Sequence, residues 1–128
     1  MYRIVLAVVF SLLAVDVLAT NTGLAGRWRG EYETPQGLGR LELTLSRQGS
    51  EWKGVCKFPD VDDEENTFPA QELKVSETEL SFSIEVENHS GKLSFKGKPA
   101  GEKIEGTFER FIEGRSEYSG GWSIERTK

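Results

Sequence analysis

The sequence predicts an all-β fold: an eight-stranded antiparallel up-and-down barrel, a meander closed on itself. Three observations lead there. From Gly26 onward apolar residues recur with a period of two, the mark of strands with one buried face. Short turn signals of Gly, Pro, Ser and Asn separate them, and connections this short make neighbouring strands antiparallel. Glycines share the inward parity with aromatic residues, as sharply coiled strands require. Closure also removes the exposed edges that an open meander with one greasy face would leave.

The elements follow in order. Residues 26–34, GRWRGEYET, set Trp28, Gly30 and Tyr32 against Arg27, Arg29, Glu31 and Glu33. Residues 39–47 set Leu41, Leu43 and Leu45 against Arg40, Glu42 and Thr44. Residues 51–58 place Trp52, Gly54, Cys56 and Phe58 on one face, opposite Lys53 and Lys57. An acidic loop comes next, and then a fourth strand at 68–75. Its alternation is imperfect, and Pro69 signals a strand start or a bulge. The fifth, 79–87, has Leu80, Phe82, Ile84 and Val86 inward, and the sixth, 91–98, has Leu93, Phe95 and Gly97. The seventh, 103–111, has Ile104, Gly106 and Phe108 inward, and the eighth, 115–126, has Tyr118, Gly120, Trp122 and Ile124.

Gly30, Gly54, Gly97, Gly106 and Gly120 all have inward parity, and nearly all have an aromatic residue two positions away. The spacing predicts tight strand coiling, with a ring covering the bare backbone. The alternative is that the glycines leave room for a ligand.

The first 19 of the 128 residues are expected to be a signal peptide. Arg3 is the basic start, Ile4–Val15 the apolar stretch, and Val17 and Ala19 fit the −3 and −1 positions of a cleavage site. A single membrane anchor is the competing reading. Asp16 interrupts the apolar run well short of the ~20 residues a span needs. Thr20, not Cys, follows the cleavage site, which argues against a lipid anchor. Residues 20–128 then form one domain, monomeric, secreted or periplasmic, with no membrane association after cleavage.

The formal charge is −5, and loss of the first 19 residues leaves it unchanged. An acidic chain is a poor partner for nucleic acid, whose binding rests on neutralised phosphates. Cys56 is the sole cysteine, so no internal disulfide is available and the core must carry stability.

The opening Gly26-x-Trp28, together with IEGTF (104–108) and GGWSIER (120–126), resembles the calycin superfamily: lipocalins, fatty-acid-binding proteins, avidins and certain metalloprotease inhibitors. The pattern is also similar to small secreted barrel modules found ahead of some serine hydrolase domains. The resemblance implies that Arg126 packs across the Trp28 ring between the first and last strands. It also implies that Arg110, of inward parity near a barrel mouth, reads an anionic ligand; the alternative is exposure or a Glu partner. The chain lacks a C-terminal helix pattern, a helical lid, the polar avidin set and paired cysteines, so the resemblance reaches the fold and not a particular function.

Two functional readings stay open. In the first, the barrel holds a small apolar or amphipathic ligand at its mouth, lined by Trp28, Tyr32, Trp52, Phe82, Phe95, Phe108, Arg110 and Trp122. In the second, the barrel is solid and serves as a protein-interaction module, an inhibitor or a hydrolase accessory domain. Thr20–Ala25 would enter a protease cleft, or an outer patch near Val55 and Phe111 would dock. Against the first stands volume, since eight short strands enclose little more than their own side chains. No cofactor is expected. The run Asp60, Asp62, Asp63, Glu64, Glu65, Asn66 has Ca²⁺-type oxygen ligands without EF-hand spacing or Gly, and reads as a solvated loop. His89 sits in a turn with no nucleophile in reach by sequence. Cys56 faces inward without a base, so no catalytic residue is assigned and no enzyme is expected. Asn88-His89-Ser90 is a glycosylation sequon that matters if the source is eukaryotic.

Overall fold

A computed structural model describes residues 23–60, 66–86 and 90–127. The expected signal peptide (1–19), most of the acidic loop (61–65) and the Asn88-His89 pair lie outside the described residues.

The described residues form nine strands: β1 (Gly26–Thr34), β2 (Gly37–Gln48), β3 (Glu51–Lys57), β4 (Thr67–Pro69), β5 (Gln71–Val75), β6 (Leu80–Val86), β7 (Gly91–Ala100), β8 (Lys103–Ile112) and β9 (Arg115–Arg126). All belong to one antiparallel sheet of order β4-β3-β2-β1-β9-β8-β7-β6-β5. The first and last long strands are therefore neighbours, and the sheet curls into a nearly closed barrel.

The count departs from the eight expected, and the reason is local. Segment 68–75 is two strands. Its first part pairs with β3 (Cys56↔Phe68, Val55↔Pro69) and its second with β6 (Gln71↔Ser83, Val75↔Leu80). The break falls at Ala70, between a proline, which has no N–H to give to a ladder, and Glu72, whose φ is 53°. A single backbone bond, Ala70 N–H to Gly54 O at 2.8 Å, spans the gap between β3 and β5.

Period-two alternation sets the faces. Trp28, Leu41, Leu43, Phe95, Ile104 and Ile124 are fully buried inside, while Arg27, Glu33, Lys53 and Lys98 stand outside. Backbones of neighbouring strands crowd closely at Gly30 and Gly106. A Cβ at Gly30 would lie 1.8 Å from Ser123 O, and one at Gly106 would lie 1.8 Å from Lys96 O. At both positions the absence of a side chain lets two strands approach. Ring cover acts across strands instead of along them: the Tyr32 ring lies over Gly39, and Trp122 lies over Gly97. Trp122 Nε1–H donates to Lys96 O (3.1 Å) and Thr107 O (3.0 Å), which fixes the indole against the β7–β8 wall.

For orientation, the end holding Gly26, Gln48, Leu80 and Arg126 is called lower. The end holding Thr34, Lys57, Val86 and Arg115 is called upper.

Candidate functional site: barrel interior, lower end and outer groove

Five of the interior residues singled out from sequence form one chain of ring contacts. Phe82 stacks on Phe95 (4.8 Å between centroids) and Phe95 on Phe108 (5.4 Å). Trp122 meets Phe95 edge-on at 5.3 Å, and Tyr32 meets Phe108 edge-on at 5.7 Å. Phe58, from β3's exit, extends the chain to Tyr32 (5.5 Å) and Phe68 (5.8 Å). Each such pair contributes about 0.5–1.5 kcal/mol beyond the area it buries. These rings are spent on one another along the barrel's middle.

At the upper end, Tyr32 and Tyr118 are half-buried. Burial, more than the neighbouring Tyr118, pushes the Tyr32 hydroxyl above its ordinary value. Arg110 Nε lies 3.2 Å from Glu117 Oε1. Asp60 is held by Arg40: its carboxylate accepts from Arg40 N (2.9 Å), Nε (2.8 Å) and Nη2 (2.8 Å), which draws its carboxyl below the ordinary range. Among the described residues no group of three or more His, Cys, Asp or Glu side chains is arranged to hold a metal ion. Cys56 is fully buried, and burial pushes its thiol up to about 12, a setting that suppresses the thiolate a nucleophile needs.

At the lower end, Trp28 and Arg126 are register partners. The guanidinium carbon lies 4.4 Å from the Trp28 ring centroid, within cation–π range. Its N–H groups donate to Ala25 O (2.9 Å), Gly23 O and Glu102 Oε2 (2.9 Å), while Trp28 Nε1–H donates to Leu24 O (3.0 Å). Residues 23–25 are thereby tied across the barrel's lower end.

Trp52 stands apart from the ring chain, half-buried on β3. Its register partner is Arg47, whose Cζ lies 5.7 Å from the Trp52 centroid. Arg47 was missed by the sequence reading, which ended the inward series at Leu45. The signal was present: a two-residue turn at Gly49-Ser50 makes 47 and 52 opposite neighbours, and parity carries 41, 43 and 45 on to 47.

The outer wall carries a groove of about 510 Å³ between β1, β9 and β8, lined by Glu31, Glu33, Leu38, Glu105, Thr107 and Ser123, with Gly106, Gly121 and the edge of Trp122 at its floor. Gly121 leaves a gap in the outward row, and its N–H is taken by Glu33 Oε1 at 2.9 Å. Leu38 is 65% exposed at the rim. A second cleft of about 370 Å³ shares Glu105, Gly106 and Thr107 and continues toward Lys96, Lys98 and Thr78. Val55, the other exposed large apolar residue among those described, lies elsewhere, on β3. No sequence signal beyond outward parity marked the groove, because it comes from strands distant in sequence.

No family model matches the chain, and no curated protein matches it. Among solved structures, the chain is similar to secretory abundant heat soluble protein 4 from Ramazzottius varieornatus. The two share 13% identity and a TM-score of 0.45, over 81% of this chain and 94% of that one, a likeness that carries no argument about function.

Proposed function

We propose that the chain is an exported, non-enzymatic, calycin-like barrel that works as a monomeric protein-interaction module, its interior a packed scaffold and its outer wall the working surface. One observation carries this reading. Five of the seven aromatic side chains that would line an interior ligand site, Tyr32, Phe82, Phe95, Phe108 and Trp122, are in ring-to-ring contact with one another. The outer groove gives the surface its chemistry: carboxylates of Glu31, Glu33 and Glu105 beside the exposed Leu38 suit a basic segment with an apolar neighbour. Purification from the native host, with and without Glu31→Lys and Glu105→Lys together, tests it. A partner held by the unaltered protein is expected to be lost from the folded double variant and to be weakened by salt. Retention by the double variant would sink the reading.

A second reading keeps a small apolar ligand at the upper mouth. Half-burial of Tyr32, Tyr118 and Arg110 favours it, since the ring chain there ends in side chains still open to solvent. Native mass spectrometry of protein from its own host separates the two: a retained small-molecule mass favours the mouth, a retained protein favours the wall.

A further inference from the structure

The lower end carries two arginines placed over tryptophans, and they are not equally provided for. Arg126 has Ala25 O, Gly23 O and the Glu102 carboxylate as acceptors and sits 4.4 Å from its ring. Arg47 donates from Nε to Gly49 O (2.8 Å) and lies 5.7 Å from its ring, near the outer limit of such contacts. Its Nη1 is buried and has no hydrogen-bond partner. A buried donor on a charged group without an acceptor is costly, more so than the gain from an ordinary hydrogen bond.

One strand away from Arg47, the wall beside its partner Trp52 has no continuous ladder. The β3–β4 ladder ends at Val55↔Pro69, and below the Ala70–Gly54 bond β3 and β5 lie side by side with no ladder. Trp52 on β3 and Leu73 and Val75 on β5 are half-buried apolar side chains on the two bordering strands. Side chains can move there without breaking backbone hydrogen bonds.

We infer that the Arg47–Trp52 corner binds a small amphipathic anion, one oxygen of its carboxylate or phosphate accepting from Arg47 Nη1 and its apolar part lying against Trp52. The ligand supplies at Arg47 what residues 23–25 and Glu102 supply at Arg126. It enters between β3 and β5 by displacement of half-buried side chains. The site is independent of the outer groove and of the upper mouth.

The test is a titration of the purified, isotope-labelled protein with octanoate and octyl phosphate, with octanol and inorganic phosphate as controls. The Trp52 indole and Arg47 Nε–H signals are followed by NMR. Saturable shifts of both signals with octanoate, octyl phosphate or both are expected, and which of the two acts identifies the head group. Arg47→Met is expected to weaken binding at least about tenfold, the scale of one charge-assisted hydrogen bond. Arg47→Lys, which keeps the charge should the Met variant fail to fold, is expected to weaken it less. Arg27→Met, on the outer face, is expected to leave it unchanged. The inference is overturned if neither probe gives saturable shifts, if octanol binds as tightly as octanoate, or if Arg47→Lys and Arg47→Met both bind like the unaltered protein.

Discussion

The nearly closed barrel draws together at two junctions, and the two closures differ in kind. Between β1 and β9 the closure is backbone: five consecutive register pairs run from Trp28↔Arg126 to Tyr32↔Trp122, and Arg126 locks the lower end. Between β3 and β5 it is mostly side chain: one backbone bond at Ala70, with Leu73 lying over Gly54. The difference comes from what the backbone can offer. Strands β1 and β9 run uninterrupted past each other with Gly30 permitting close approach. The β4–β5 segment instead spends its middle on Pro69, which has no N–H, and Glu72, held in the left-handed region. Tight closure therefore needs a continuous ladder and a residue without a Cβ at the crossing.

The largest effect is expected from breaking the first closure. In Gly30→Ala the new methyl would occupy the space of the Ser123 carbonyl oxygen, 1.8 Å away, and backbone has to move. A loss of at least about 3 kcal/mol is expected, at the upper end of overpacking costs. The matching change at the second closure, Gly54→Ala, meets the Ala70 methyl at 3.1 Å and Leu side-chain carbons at 3.3 and 3.4 Å. These are flexible or shiftable, so a cost below about 1.5 kcal/mol is expected. Urea midpoints of the two variants measure the contrast; equal costs would mean that the closures are equivalent.

A smaller effect separates the two arginines. Arg126→Met removes a ring contact, two carbonyl partners and Glu102, with an expected loss of about 2–3 kcal/mol. It should also free residues 23–25 to limited proteolysis. Arg47→Met removes one bond, Nε–H to Gly49 O, and a long ring contact, but it also removes a buried donor that lacks an acceptor. In the absence of ligand the lost bond and the relieved donor are expected to offset, leaving stability within about 0.5 kcal/mol of the unaltered protein. A cost at Arg47 equal to that at Arg126 would show that Arg47 is structurally satisfied.

What the sequence made legible follows the range of the signal. Strand positions and faces came from a period of two, a signal carried by neighbours along the chain, and it holds outside the 68–75 segment, where the buried parity shifts between Ala70 and Leu73. Parity also places Trp28 and Arg126 on one face, and closure makes them neighbours. The break at Ala70 was half legible: Pro69 marked an irregularity, but a glutamate at φ 53° leaves no trace in composition. The glycines misled on their partners. Their covering rings were sought two residues away along the strand, whereas Gly97 is covered by Trp122 and Gly120 by Phe108, both across strands. The outer groove was illegible for the same reason. Its walls, Glu31 and Glu105, are joined only through β9.

Local opening offers a finer probe of the same comparison. Amides of β8, paired on both sides, are expected to exchange only with global unfolding. Amides of β5 are expected to exchange through smaller openings, since β5 is an edge of the sheet with a register shift against β6. Cys56 reports on this region independently. It is the register partner of Phe68 on β4, is fully buried, and its thiol is pushed up to about 12. A thiol reagent should therefore react only after β4 opens, with an opening free energy below that of β8 exchange. Reaction at the global unfolding rate would place β4 in the same cooperative unit as β8.

The gentlest perturbation acts on the tie that holds β5. Glu72 Oε1 accepts from Ser83 Oγ (3.0 Å) on β6 and Lys92 Nζ (3.2 Å) on β7. The Ser83 bond first, then the Lys92 bond and its charge, hold the Glu72 carboxyl below its ordinary 4.5. A carboxyl lowered in the folded state binds protons more weakly there than in the unfolded chain. Its contribution is thus complete above about pH 4.5, the unfolded value, and is lost as pH falls through the folded value. Because the carboxylate is exposed, global stability should barely register the change. The expected readout is local: β5 amide protection, corrected for intrinsic exchange, falls below pH 4.5 relative to that of β9. Glu72→Gln should show the weaker protection at neutral pH and lose the acid dependence. If β5 protection in the two proteins follows the same pH curve, the tie is not what holds β5, and packing of Leu73 over Gly54 holds the second closure alone.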